Sequence, residues 1–567
     1  MRAALLIAST LAFGAAATGC GRTGGDTNGG ARSAASQAAA DQNQMNPQPR
    51  DKIQQGGKLT WAIAGAPANF NEGELDGTNV EGFWIINAVL PMQYTFDASG
   101  SPTFDPSYLT GEPKVTTTPR QVVTFELNPK AVWSDGTPIT AADYAAQWKS
   151  LNGTNKAYRI SASNGYDQIE SVTAGASPFE VVVTFRKPYA DWKSLFWPLY
   201  PASTSNNPDV FNTGWKDHLL TSGGPFRFLS YDATAKTYTL VANEKWWGPK
   251  PKLDSIIFRV MDADAQPTAL ANGEIDLMDV GGSADYYNKV KSIPGVDIRV
   301  AAGPNFYQIT INGQSPELQD VRVRQALAMA INRDAIANAM LGQLPVHAAS
   351  LGNHIYMENQ AGYEDNSGVV AFNPDKAKQM LDASGWAVHG TTRVKDGKTL
   401  AINLVIPSGI AGPKSVAELV QNMLAQVAAR VDITTVPVSD FFDKYISTGR
   451  FDFTLFSWQG TQFPTSSAQS IYAKPVGNNI QQNYARTGSD QIDSLYRVAV
   501  AELDPAKAIQ DANQIDRLIW EEVHSLPLYQ RPDIWAVNKN LANIGAYGFA
   551  SIPYQNVGWV AGAEKRP

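Results

Sequence analysis

Apolar and polar positions alternate at Leu59, Trp61 and Ile63, and again at Val123, Phe125 and Leu127. A period of two over such short runs predicts half-buried β-strands. After the second run comes Asp135-Gly136, a turn pair, and then the period changes. Thr140 stands where a helix N-cap belongs, with Asp143 three residues on as its capping-box partner. Tyr144, Trp148 and Leu151 then fall on one helical face. Further strands are predicted in "FEVVVTFRKP", "TYTLVANEKWWG" and "LDSIIFRVM". From Asp320 the texture becomes helical: "DVRVRQALAMAINRDAIANAMLG" predicts two helices with a break at Asn332 and an end at Gly342. In "FNPDKAKQMLDASGW", Asn373 caps, Pro374 occupies the first helical position and Gly385 terminates.

The clearest unit lies between 400 and 438. "LAINLVIPSG" predicts a strand. Ser415 with Glu418 opens a helix whose apolar face is Val416, Leu419, Val420, Met423, Leu424 and Val427, and "VDITTVPV" predicts a second strand. A strand, a helix and a strand of these lengths imply a right-handed crossover and parallel pairing. The chain therefore mixes strands and helices throughout, and no fixed-period repeat appears.

Length and charge narrow the picture. The 567 residues exceed the roughly 250–300 at which single cores stop growing, so two or three domains are expected. Hydrophobic residues make up 43% and charged ones 17%, a globular composition. A net charge of −7 without a basic stripe argues against nucleic acid as a partner. The single cysteine excludes an internal disulfide and a multi-cysteine zinc site. It stands at the end of a basic start, an apolar stretch from Ala3 to Ala17 and a run of small residues. That order is a secretory signal, too short to span a membrane. With Cys20 directly after the small residues, it resembles a bacterial lipobox, although Ala17 stands where the usual box has Leu. The resemblance implies removal of 1–19 and diacylation of Cys20, an anchor of two chains. Residues 20–55 are Gly, Ala, Ser, Gln and Asn with few large apolar groups, so a disordered tether is expected, with a reach of ~30–35 Å.

A search for covalent chemistry returns nothing. There is no G-x-S-x-G, Walker A, G-x-G-x-x-G or H-E-x-x-H pattern. Among the five histidines, His347 and His354 lie in one loop-like segment and could share a metal; loop or surface histidines are the simpler reading. No cofactor or metal is implied, and no enzyme activity.

The segment "LNPKAVWSDGTPITAADYAAQWKSL" resembles the signature of the extracytoplasmic solute-binding proteins of ABC importers, family 5, which include dipeptide- and oligopeptide-binding proteins. Five further blocks match in order: "GGPFRFLSYDATAKTYTLVANEKWWGPKPKLDSIIFRV", "ANGEIDLMDV", "DVRVRQALAMAINRDAI", "FNPDKAKQMLDASGW" and "WEEVHSLPLYQRPDIWAVNKNL". Together they span about 57–565. The resemblance implies an α/β, two-lobed periplasmic-binding-protein-like fold (type II, cluster C), with an extra subdomain in the first lobe and a two-strand hinge. Each lobe is expected to have its own sheet. Lobe I is expected over 56–305, lobe II over 306–527 and a return to lobe I over 528–567, with crossings near 302–309 and 527–533.

The same resemblance implies a lipid-anchored, monomeric receptor on the extracytoplasmic face of the bacterial cell membrane. It would close on a peptide and deliver it to an ABC permease and ATPase. Its ligand-binding residues would be Asn69, Phe70 and Asn71 in lobe I and Trp458, Gln459, Gly460, Thr461 and Gln462 in lobe II. In peptide binders of the family, an aspartate that pairs with the ligand's α-ammonium stands where this chain has Thr461. Glu72, Glu74 and Asp76 are the candidate replacements. A neutral solute such as an oligosaccharide and, in another class, a secreted hydrolase remain as alternatives.

Overall fold

The computed structural model of the chain describes residues 43–408, 411–477 and 479–563. The expected signal segment, Cys20 and the start of the expected tether lie outside the described residues. Residues 43–55, expected to be part of the tether, run along the body instead. Gln54 N donates to Trp559 O (2.8 Å), Asn46 Nδ2 to Leu541 O (2.9 Å), and Arg50 Nη1 to Gln555 O (2.8 Å) and Asn556 Oδ1 (2.7 Å). Ile53 bridges to Val560 and is buried. One buried isoleucine and a series of side chains that reach backbone carbonyls offset the ordering entropy that composition alone leaves uncompensated.

Local signals translate directly into elements. Thr140 N donates to Asp143 Oδ2 at 2.9 Å and caps the helix Ala141–Leu151, which buries Tyr144 and Leu151. Asn373 accepts from Lys376 N at the start of Pro374–Ala383. Helices Val321–Met329 and Arg333–Leu341 break at Asn332, whose side chain caps the second. The helix of the 400–438 unit begins at Ala411, earlier than the Ser415 start expected from the sequence, and its strands Ala401–Pro407 and Arg430–Val436 pair in parallel.

These strands belong to a ten-stranded sheet. Its spatial order is Arg430–Val436, Ala401–Pro407, Phe453–Gln459, Val296–Ile311, Ser525–Asn538, Leu277–Asp279, Lys58–Ile63, Ser255–Val260, Thr237–Ala242 and Phe226–Asp232. The fourth and fifth strands in this order, Val296–Ile311 and Ser525–Asn538, are the longest, and both run through two lobes. One end of each lies among the strands of lobe I: Val537, Ala536 and Trp535 pair with Leu277, Met278 and Asp279. At the other end, Asn305–Ile311 pairs with Gln459–Phe453 of lobe II. The expectation of a separate sheet in each lobe is corrected here. The two crossing strands pair with each other, so the ladder is continuous across the lobes.

The ladder does break register between Ala302 and Phe306, opposite Arg531. Gly303 stands at that break, and a Cβ there would collide with the Arg531 carbonyl. A bulge bends a strand and re-aims the residues beyond it, so the crossing strand bends here.

A smaller antiparallel sheet forms the subdomain of lobe I, in the order Lys114–Thr116, Val122–Glu126, Glu180–Phe185, Ile169–Ala174. The helix Ala141–Leu151 covers it, with Tyr144 against Phe125 (ring centroids 5.8 Å). The lobe I core centres on Trp61, which stacks on Trp84 (5.2 Å) and meets Trp535 of a crossing strand edge-on (5.4 Å). A second core runs from lobe I (Leu270, Met278) into lobe II (Leu404, Val420) and takes in Ile309 and Ile534, while Ala301 and Trp535 belong to the first, so both crossing strands are packed on two cores. Among the described residues, no helix is long and apolar enough to cross a membrane.

Candidate functional site

The strand Phe453–Gln459 carries the chain out of lobe II and onto lobe I. Gly460 N donates to Pro304 O at 2.7 Å, and a Cβ at Gly460 would stand 2.7 Å from that same oxygen. Only glycine permits so close an approach to the crossing strand. Trp458 is half-buried. Its ring stacks on Tyr484 (5.8 Å, 5° between planes) and meets Phe456 edge-on, while its Nε1 is buried without a hydrogen-bond partner. Gln459 is exposed at the strand end. Gln462 Nε2 reaches Phe549 O in lobe I at 3.2 Å.

Thr461 is engaged within lobe II. Its Oγ1 lies 2.9 Å from Ser467 Oγ and accepts from Phe463 N (3.2 Å), and its carbonyl accepts from Gln360 Nε2 (2.9 Å). The hydroxyl thus serves the start of the helix Pro464–Tyr472.

Asn69, Phe70 and Asn71 are placed differently. All three are buried in lobe I. Asn69 Nδ2 donates to Glu74 Oε2 and Asn212 O, Asn71 Nδ2 donates to Phe211 O, and Phe70 packs edge-on against Tyr238. These partners are all lobe I residues, so the structure does not bring the three to the Trp458–Gln462 run. Of the two histidines considered for a metal, His347 is exposed. His354 is buried between Asp516 Oδ1 (Nδ1, 2.8 Å) and Ser525 O (Nε2, 3.1 Å). Among the described residues no group of three or more His, Cys, Asp or Glu converges.

Several seam residues escape sequence reasoning. Asp191 of lobe I accepts from Ser466 N (3.2 Å), and Ala190 N donates to Val500 O (2.8 Å). Asn359 Nδ2 donates to Ala98 O (2.8 Å). Gln530, on the second crossing strand, accepts from Glu358 N and donates to Gly303 O (2.6 Å) and Asn359 Oδ1 (3.0 Å). Phe96 meets Phe463 edge-on (5.8 Å). Burial raises the Asp191 carboxyl above the usual range, and the Ser466 contact lowers it in part. No local pattern marks these residues, because each partner lies far away in sequence.

Two α/β lobes, joined by two crossing strands, meet along a seam of hydrogen bonds and a buried apolar cluster. The chain belongs to the bacterial extracellular solute-binding proteins, family 5, whose middle-region model matches residues 109–479. It is 40% identical over 524 residues to the oligopeptide-binding protein OppA of Mycobacterium tuberculosis (strain H37Rv), covering 92% of this chain and 87% of that one. Among solved structures, the periplasmic EDTA-binding protein EppA matches with a TM-score of 0.84 at 25% identity, over 92% of this chain and 99% of that one. AppA from Bacillus subtilis, in complex with a nonapeptide, matches in fold with a TM-score of 0.74 at 21% identity, over 90% and 100%. The chain is thus an extracytoplasmic solute-binding protein rather than an enzyme, and the hydrolase alternative is set aside.

Proposed function

We propose that this protein is a lipid-anchored peptide receptor of an ABC importer, holding its ligand between the lobes beside Trp458–Gln462. The observation that carries the reading is the 40% identity to an oligopeptide-binding protein across nearly the whole chain. The peptide's α-ammonium does not sit at Thr461. That hydroxyl already serves Ser467 and Phe463 N, and a neutral oxygen gives about half the strength of a charge-assisted bond.

Calorimetry with trialanine and N-acetyl-trialanine tests this. Thr461→Asp should fold normally, since an acid near a helix start is favourable. It should weaken trialanine binding by about 1–2 kcal/mol, below the roughly 2–5 of a fully buried unpaired charge because the site is half-buried. A gain in affinity, lost on acetylation, would place the ammonium at this position after all. One observation favours a neutral oligosaccharide instead: the stacked Trp458–Tyr484 pair stands beside the uncharged Gln459, Thr461 and Gln462. Heat with a trisaccharide and none with peptides would select that reading.

The anchor rests on the lone cysteine after its run of small residues. Cys20→Ala should move the protein from the membrane fraction to the medium. Unchanged fractionation would remove the anchor from the proposal.

A further inference from the structure

A cavity of about 170 Å³ lies inside lobe I, away from the Trp458–Gln462 run. Its walls come from the loop after the first strand (Asn71, Glu72), the helix Ala141–Leu151 (Gln147, Leu151), the Tyr166 and Trp197–Tyr200 segments, and Ser205. Taking about 30 Å³ per water, this is room for about six waters, more than a structural water needs.

Three polar groups on this wall lack partners. The Glu72 carboxyl has neither a hydrogen bond nor a cation among the described residues, whereas the next two acids on the same loop are engaged. Glu74 lies 3.4 Å from Arg159 and accepts from Asn69 Nδ2 and Asp76 N, and Asp76 lies 3.0 Å from the same arginine. Trp197 Nε1 and Ser205 Oγ are buried and unpaired, and Ser205 is 1% exposed. The remaining polar neighbours are already used: Gln147 bonds Tyr166 Oη, Pro198 O and Tyr200 N, and Tyr200 Oη bonds Phe70 O and Glu72 N. What is left inside is one carboxyl, one hydroxyl and one N–H donor, set among Trp, Tyr, Leu and Phe, with the exposed Asn164 amide at the rim.

We infer that this cavity binds a primary ammonium group attached to a small organic body with a neighbouring carbonyl. Glu72 and Ser205 Oγ would receive the ammonium, and Trp197 Nε1 would donate to the carbonyl. The charge is right, because no Lys or Arg lines the cavity. The shape is right, because the space exceeds a bare cation and a single carboxylate does not make a metal site. The aromatic walls suit a cation as well. Burial raises the Glu72 carboxyl to about 8, so in the empty cavity near neutral pH it is largely protonated. The titratable groups beside it, Tyr166 and Tyr200, are also raised by burial and stay neutral. Capture of an ammonium therefore releases a proton.

The ammonium can belong to a free amine or to the first residue of a peptide. Only the second source rests on the peptide-receptor reading. Calorimetry with glycinamide and with trialanine, on the wild type, Glu72→Gln and Trp197→Phe, separates them. At least one probe should lose about tenfold in affinity on Glu72→Gln and a smaller factor on Trp197→Phe. That probe's binding should release a proton, read from heats in buffers of different ionisation enthalpy, and its N-acetyl form should not bind. Dependence on Glu72 for glycinamide alone assigns a free-amine site, and for trialanine alone a peptide amino-terminal site. Equal binding of both probes to wild type and Glu72→Gln overturns the inference, as does no binding of either probe at millimolar concentration. If trialanine binds neither protein while glycinamide depends on Glu72, the peptide reading fails and the cavity assignment stands. Trialanine binding that ignores Glu72, with no glycinamide heat, gives the reverse. Glu72→Gln should melt no lower than wild type, since it removes an unpartnered, half-buried acid, so loss of binding is not loss of fold.

Discussion

Three acids within five residues meet three fates, and the difference lies in what each one faces. Glu74 is fully buried yet close to Arg159, Asp76 shares that arginine at the surface, and Glu72 faces only neutral groups. The sequence shows all three as equal candidates, because Arg159 is some 85 residues away and nothing local announces it. A consequence can be measured. Burial holds the Glu72 carboxyl near 8, and it holds Asp533 near 7 even though Tyr547 N, Gly548 N and Trp535 Nε1 all donate to it. Both groups bind their proton more tightly folded than unfolded, so their contribution to stability is present at low pH and is lost as pH rises through 7 to 8. His524, lowered to about 3 by burial, acts with the opposite sign, but its effect is complete by about pH 6.5. Between pH 6.5 and 8 the melting temperature should therefore fall, and Glu72→Gln should flatten the slope. A melting temperature that rises over this window, or a slope unaltered by the substitution, would contradict the burial of these acids.

At the scale of elements, whatever depends on neighbours in sequence is legible. The cap at Thr140 and the Asn373-Pro374 start need only three or four residues, and both form where the pattern puts them. The helix starting at Ala411 rather than Ser415 shows the limit, since two strong cap residues lie inside the helix, not at its end. Matched blocks place the crossing strands, but their pairing into one ladder is not visible in the sequence, because pairing partners such as Val300 and Ile534 are separated by the whole of lobe II. The glycine at 303 is a clue of the right kind, since glycine inside a strand often marks a bulge or a close backbone approach. Gly303→Ala should push its new methyl onto the Arg531 carbonyl, which is backbone and cannot swing aside. The expected cost is about 1–3 kcal/mol, as for other overpacked sites. Urea unfolding would register it. An alanine variant as stable as wild type would mean that the crossing point accommodates a side chain and is not tightly fixed.

For the whole molecule, the balance between the lobes matters most. The crossing strands are buried in two cores and will not part, whereas the seam beyond them combines hydrogen bonds (Asp191 with Ser466 N, Ala190 N with Val500 O, Asn359 with Ala98 O, Gln462 with Phe549 O), the Phe96–Phe463 edge contact and a buried apolar cluster in which Phe549 of lobe I packs with Leu351 and Met357 of lobe II. A neutral hydrogen bond contributes only ~0.5–1.5 kcal/mol net, so the polar part of the seam resists opening weakly and the apolar cluster carries most of the closed arrangement's advantage. On the proposed reading, a ligand held between the lobes would bias the balance of open and closed forms, and weakening the seam would tax affinity by the fraction of molecules left open. Asp191→Ala removes a half-buried acceptor and leaves Ser466 N without its partner. It should shift the population toward the open form and reduce ligand affinity by about three- to thirtyfold, equivalent to roughly 0.7–2 kcal/mol, while leaving the melting of each lobe's core largely unchanged. Small-angle scattering should show a larger radius of gyration for the ligand-free variant than for wild type, and saturating ligand should bring the two together. If the variant scatters like wild type without ligand and binds as tightly, Asp191 contributes nothing to closure, and the equilibrium is set by the crossing strands alone.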